Sequence, residues 1–172
     1  MPVWKTNLKD GRKATLRFLT ADDKDKLFRM FSSMSEKALR WSAAPYNLDI
    51  IERWVKNLPD LIAIVAEYEE TIVGYAVIYK FPQQHRKGLG DLAVYLHQSF
   101  HNVGLGTAMT EKLLQIAKKE GMHKLELTVV ADNEVAISLY RKIGFIVEGV
   151  SKDSFFGSDG KYHDIVHMGF IL

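Results

Sequence analysis

The 172-residue sequence contains no cysteine. Disulfides, thiolate metal ligands and a cysteine nucleophile are therefore excluded, and a reducing, cytoplasmic setting is the expectation. Proline is scarce, with four in the chain, and no Pro/Gly/Ser-rich linker, repeat or low-complexity tract divides the sequence. One domain spanning residues 1–172 is expected. No apolar run approaches the ~18 residues of a membrane-spanning helix. Met1 to Gly11 is polar, carrying Lys5, Lys9 and Asp10, and lacks the apolar core of a signal peptide. Neither sign of charge dominates, with 23 Lys and Arg against 21 Asp and Glu for a net charge of +2. That balance supplies no electrostatic case for nucleic acid or a membrane as partner.

What is present is a 47% apolar composition, enough for a sizeable core, and a clear succession of periodicities. Ala14 to Leu19 alternates as a strand. Thr20 is placed to cap a helix opening Ala21-Asp22-Asp23, and Leu27, Met30, Phe31 and Met34 fall on one face of it. Ser35 to Tyr46 reads as a loop. Asn47 caps a second helix, Leu48 to Asn57. Leu61–Glu67 and Thr71–Tyr79 form an antiparallel hairpin, Phe81 to Gly88 a loop, and Leu92–Leu96 a further strand. Gly104 to Glu120 is helical, with Leu105, Met109, Leu113, Ile116 and Ala117 on one stripe and Gly121 as C-cap. A strand, Lys124–Val130, and a helix, Asn133–Lys142, precede two last strands, Phe145–Phe156 and Tyr162–Ile171. The order β-α-α-β-β-β-α-β-α-β-β describes a mixed, mostly antiparallel α/β (α+β) sheet flanked by helices.

The most informative stretch runs from Leu92 to Met109. A strand passes through a short loop into a helix whose first turn holds Gly104 and Gly106. Free amides and the helix dipole make such a turn an anion site, glycine lets a phosphate reach the backbone, and Thr107 adds a hydroxyl donor. Asn102 to Thr107 is therefore the candidate phosphate loop. A Gly-x-Gly turn also serves simply to pack a strand against a helix. No Walker A lysine follows, and Met109 stands where a Rossmann fingerprint needs its third glycine.

His101-Asn102-Val103-Gly104-Leu105-Gly106 resembles the pyrophosphate motif Gln/Arg-x-x-Gly-x-Gly/Ala of the GNAT superfamily, with His101 in the Gln/Arg position. Asn133 to Phe145 resembles a second block of that family, Asn-x-x-Ala-x-x-Leu-Tyr-x-x-x-Gly-Phe. The two blocks in this order are far more specific than either alone. The resemblance implies an N-acetyltransferase that uses acetyl-CoA as cosubstrate, on a sheet splayed at a bulge in the cofactor strand. By residue, it implies that Val94, Tyr95 and Leu96 offer backbone groups to the pantetheine arm. Asn102, Val103, Gly104, Leu105, Gly106 and Thr107 hold the pyrophosphate, Asn133 meets the pantetheine end, and Tyr140 lies near the thioester sulfur. It also implies an amine acceptor, carried by a small molecule or a protein, and a homodimer as one available assembly. A CoA-binding regulatory module without turnover is the alternative.

Acetyl transfer to an amine requires removal of a proton from an ammonium whose ordinary pKa is ~10.4, and a donor for the departing thiolate. Tyr140 is the candidate acid; the other reading of it is a core aromatic on the helix stripe. Asp91, just ahead of the Leu92 strand, is the candidate base; it equally suits a capped loop. Glu67 is the second choice. His97 and His101, like His163 and His167, are four apart, but four strand residues span about 13 Å, so no metal site is expected. His163 suits a half-exposed strand position near the acceptor. Trp41, Tyr46 and Trp54 are candidates for an aromatic lid, with core packing the alternative for Trp54.

Overall fold

A computed structural model describes residues 2–172. Eight strands form one sheet: β1 (Val3–Asn7), β2 (Lys13–Phe18), β3 (Leu61–Tyr68), β4 (Thr71–Lys80), β5 (Leu89–Leu96), β6 (Lys124–Val130), β7 (Ile146–Phe156) and β8 (Tyr162–Ile171). Their order is β1-β2-β3-β4-β5-β6-β8-β7. Every neighbouring pair is antiparallel except β5 with β6. The helices are α1 (Lys24–Ser33), α2 (Glu36–Leu39), α3 (Leu48–Lys56), α4 (Leu105–Lys119) and α5 (Glu134–Ile143).

β3 and β4 read as almost unbroken apolar runs because helices cover both faces of the sheet there. On one face, Leu27, Met30 and Phe31 of α1 and Ile51 and Val55 of α3 pack on Val65, Tyr75 and Val77. On the other, Leu105, Met109, Leu113 and Ala117 of α4 pack on Ile64, Ala76, Ile78, Leu92, Leu125 and Leu127. The two-residue alternation of a strand then sorts β5. Ala93 and Tyr95 face α1 and α3, and with them Asp91; Leu92, Val94 and Leu96 face α4.

β1 lies in the segment whose polarity gave no strand signal. It is an edge strand with alternate residues exposed, and a charged edge carries little apolar patterning. Trp4 anchors it, edge-on to Phe18 at 5.5 Å between ring centres. The segment read as a loop from Ser35 holds the one-turn α2, capped by Ser35, whose Oγ accepts from the Ala38 amide.

The feature that matters most is where the sheet stops pairing. β5 and β6 share three residue pairs, Leu89↔Lys124, Gly90↔Leu125 and Asp91↔Glu126. Beyond them β5 continues along β4 to Leu96↔Gly74, and β6 continues along β8 to Val130↔Ile165. The facing edges diverge into a wedge-shaped gap with Asp91 and Glu126 at its fork. The bulge expected on the splayed strand is absent from the β4–β5 ladder, whose register is unbroken. Register shifts fall instead at Ala66/Glu67 and within β7. The gap opens by divergence after the last parallel pair.

Away from it, Arg17 bridges two carboxylates. Its guanidinium donates to both oxygens of Asp23 at 2.7 Å and to both oxygens of Glu67 at 2.7 and 2.9 Å. Asp23 also accepts from the Thr20 amide at 2.9 Å, fixing the entry to α1. Glu67, the second candidate base, is thus held by Arg17 and by Lys26 at 3.3 Å. Both carboxyls sit below their ordinary pKa. For Glu67 the Arg17 hydrogen bonds dominate; for Asp23 burial is the largest single effect and acts upward, and the bonds from Arg17 and Thr20 together overcome it. Glu67 is a tethered structural charge, not a free base.

Candidate active site

The phosphate loop is built by the chain leaving β5. A 3-10 turn, Gln98–Phe100, leads to Asn102 at φ 61° and Gly104 at φ 88°, from which α4 starts. Glycine suits that left-handed position. The first amide of the helix to find a carbonyl is that of Ala108, on Gly104 O at 3.1 Å. Among the described residues, the amides from Asn102 to Thr107 have no acceptor. This row stands at the positive end of a 15-residue helix, an arrangement suited to an anion. Val103 and Leu105 can contribute backbone only: Val103 O accepts from Lys9 N–H, and the Leu105 side chain is fully buried. At Gly106 a Cβ would stand 3.1 Å from Leu139 Cδ1 and 3.3 Å from Leu96 Cδ1, so glycine lets α4 sit close to β5 and α5. His101 pins the loop, its Nε2 donating to Leu96 O at 3.0 Å.

The adjoining strand edge follows from pairing parity. His97 N–H donates to Val73 O and Phe81 N–H to Leu89 O. In an antiparallel ladder the bonded pairs recur every second residue. The odd-numbered backbone groups of β5 are therefore committed to β4, and those of Leu92, Val94 and Leu96 face the gap side. The Tyr95 backbone, one of the expected pantetheine contacts, belongs to the β4 set, opposite Tyr75. Asn133 caps α5, its Oδ1 accepting from Ala136 N–H at 3.3 Å, which leaves its amide nitrogen available.

Tyr140 and Asp91 lie on opposite faces of the sheet, close enough for the Asp91 charge to act on the Tyr140 hydroxyl. Tyr140 extends from α5 into the α4-side core, edge-on to Phe145. Burial, and then the nearby Asp91 charge, push its hydroxyl pKa well up, so it holds its proton. Asp91 lies inside β5, not ahead of it, and its carboxyl faces the α1–α3 side. Desolvation first, then the Glu126 charge, raise it to about 6, against a smaller opposing effect of Arg86. A carboxyl so tuned is ionised at neutral pH yet basic enough to take a proton. It borders a cavity of about 260 Å³ with Glu126, Thr128, Glu148 and His167. Glu126 is paired with Arg86 at 2.5 Å and Glu148 with Lys124 at 2.8 Å. His167 Nε2 meets Ser151 Oγ at 2.7 Å. Neither glutamate nor His167 was a sequence candidate for the site. The available signal was polar residues at even positions of β6, alternating with buried Leu125, Leu127 and Val129.

The description "Acetyltransferase (GNAT) family" fits residues 25–145. The chain belongs to the GNAT acetyltransferase family. It is 27% identical over 119 residues to an L-amino acid N-acetyltransferase of Escherichia coli, covering 67% of this chain and 73% of that one. The crystal structure of a ribosomal-protein-alanine N-acetyltransferase from Brucella melitensis superposes with a TM-score of 0.79 at 27% identity, covering 91% of this chain and 99% of that one. An acetyltransferase from Salmonella typhimurium, solved with its cofactor acetyl-CoA, shares the fold with a TM-score of 0.79 at 20% identity, covering 97% and 95%.

In this GNAT chain the aromatic residues divide. Tyr46 and Trp54 join Phe31, Tyr75 and Tyr95 in one cluster, with Trp54 stacked on Tyr75 at 5.1 Å. The hydroxyls of Tyr46 and Tyr75 are buried without a hydrogen-bond partner among the described residues. Trp41 stands apart, edge-on to His163 at 4.9 Å, with the Arg40 guanidinium over its ring. His163 is gripped by Asp132 and Asp159, which raise its pKa. Together with the Arg40–Asp159 pair at 3.3 Å, this joins the α2–α3 segment, the β7–β8 turn and the start of α5. Among the described residues no three His, Asp or Glu side chains converge as metal ligands, and no helix is long and apolar enough to cross a membrane.

Proposed function

We propose that this GNAT chain transfers the acetyl group of acetyl-CoA to a primary amine, by direct attack within a ternary complex. The single observation that carries the reading is the fork. There Asp91, a basic carboxylate, stands at the last parallel pair before the edges diverge, and the Tyr140 phenol, in the core on the opposite face, is close enough to feel its charge.

The fit of the cosubstrate rests on two features of the backbone. The free amides of Asn102 to Thr107 suit a diphosphate, and the edge groups of Val94 with the N–H of Leu96, whose carbonyl is taken by His101, suit the amides of a pantetheine arm. Acetyl-CoA, when bound, supplies the thioester whose carbonyl carbon is electrophilic. On the acceptor face, Asp91 takes the ammonium proton, directly or through one water, and frees the amine lone pair for attack. On the opposite face, the Tyr140 hydroxyl would donate to the sulfur as the carbon–sulfur bond breaks, and the second proton shed by the acylated nitrogen would restore Tyr140 through water, leaving the amide, the free thiol and the proton held by Asp91. With no cysteine in the chain, attack by the amine itself is the direct route. The acceptor amine belongs to a small molecule or a protein, as the acceptor classes of the two relatives at 27% identity suggest.

Calorimetric titration with acetyl-CoA is expected to give one-to-one binding in the micromolar range, and Gly106→Trp to remove it by filling the contact with Leu96 and Leu139. Tyr140→Phe is expected to bind acetyl-CoA normally yet turn over about 10²-fold more slowly in a thiol-release assay with an amine panel. Unchanged turnover would remove Tyr140 from the mechanism. Binding without turnover of any amine would favour a regulatory CoA module.

A further inference from the structure

The β1–β2 turn reaches across to the candidate phosphate loop and brings a cation to it. Lys9 N–H donates to Val103 O at 3.0 Å. The aliphatic stem of Lys9 lies against Gly104: a Cβ on that glycine would be 3.7 Å from both Lys9 Cγ and Cε. The ammonium is one bond beyond Cε, so it stands beside the row of free amides.

The turn is fixed in that position from its other side. Arg12 donates to Ser99 O at 2.7 Å and lies over the Phe100 ring at 3.8 Å, in the segment leading to the loop. Arg12 also neutralises the carboxylate next to Lys9 in sequence, donating to Asp10 in an ion pair at 2.6 Å, with Asp10 held below its ordinary pKa by those bonds. Among the described residues Lys9 has no carboxylate within ion-pair distance. An unpaired cation, held by its own backbone against an array of unpaired amides, is complementary to a dianion there.

We infer that Lys9 is a cofactor-binding residue, whose ammonium pairs with the diphosphate of CoA beside the Asn102–Thr107 amides. This rests on the acetyl-CoA reading above. It also gives β1, otherwise a peripheral edge strand, a role in cosubstrate affinity.

The test is calorimetry of wild type, Lys9→Gln and Lys9→Arg with CoA and with dephospho-CoA, which lacks the 3′-phosphate but keeps the diphosphate. Lys9→Gln is expected to bind both ligands about tenfold more weakly, a loss of about 1.4 kcal/mol. Lys9→Arg should recover most of the affinity, and the difference between wild type and Lys9→Gln should shrink as salt is raised. The same factor should appear in KM for acetyl-CoA and not in kcat, with the melting temperature of the free protein unmoved. Equal affinity of wild type and Lys9→Gln overturns the inference. A loss seen with CoA but not with dephospho-CoA overturns the diphosphate assignment and moves the contact to the 3′-phosphate. Failure of wild type to bind either ligand overturns the acetyl-CoA reading itself, a result distinct from the other two.

Discussion

Asp91→Asn is expected to lower kcat/KM by about 10²-fold or more, the usual worth of a positioned general base, while making the folded protein more stable at neutral pH. Both effects come from the same carboxyl. In the wild type the activity should rise with pH through about 6 as Asp91 ionises, and the asparagine variant should lack that inflection. The stability effect has the opposite sense. The folded-state pKa lies above the ordinary value of 3.8, so the protonated form is the one the fold prefers. Its contribution is fully present below the unfolded-state pKa and is lost as pH rises through 6. Above that, a half-buried carboxylate works against folding. Asparagine removes the charge and keeps the shape. Discounted for the solvent that reaches the group, the gain at pH 7.5 is about 1–2 kcal/mol, and it should vanish near pH 4. Melting curves at the two pH values, beside the pH–rate profile, check both halves. An Asp91→Asn enzyme with an unaltered profile would move the base elsewhere, with Glu126 the nearest carboxyl.

The largest stability loss is expected at Arg17→Leu. Removing this guanidinium leaves Asp23, 4% exposed, without a counter-charge and Glu67 with Lys26 alone. Breaking a buried ion pair from one side costs about 3 kcal/mol or more. In the wild type both carboxyls titrate below their ordinary values of 3.8 and 4.5. The stabilisation they provide is therefore complete above the higher of these and is lost as pH falls through the depressed values. In Arg17→Leu the sign should reverse, with acid relieving the uncompensated charges. Chemical denaturation at pH 7 and pH 4 distinguishes the two behaviours. Loss of less than about 1 kcal/mol at pH 7 would mean that water replaces Arg17.

Most of the architecture was legible because the helices and strands each carry one dominant period. Leu105 to Ala117 could hardly be other than a helix packed on one face, and β3 and β4 could hardly be other than covered on both. β1 was not legible, since an exposed edge strand of lysine and threonine does not need an apolar pattern. The strand-to-helix turn of the candidate phosphate loop was legible from its glycines, yet the approach of Lys9 to it was not, because Lys9 is some hundred residues away and arrives through a backbone bond. Asp91 was a candidate by position alone; its raised pKa depends on burial and on Glu126, which only the β5–β6 pairing brings beside it. Glu67 misled for the converse reason, its two cationic partners being distant in sequence. Tyr95 was expected from the family resemblance together with Val94 and Leu96, but backbone direction alternates residue by residue, and its groups pair with β4.

The divergence of β5 from β6 has a consequence for amide exchange. Within one eight-residue strand, odd-numbered amides such as those of Tyr95 and Ala93 are locked in a ladder, while those of Val94 and Leu96 look into an opening. Deuterium should enter this strand in an every-other-residue pattern, slow beside fast, in the middle of the sheet and not at its rim. A molecule that lays its own carbonyls along the opening slows the fast set alone. The strand would then report its occupancy through a change in parity, with no movement of the fold.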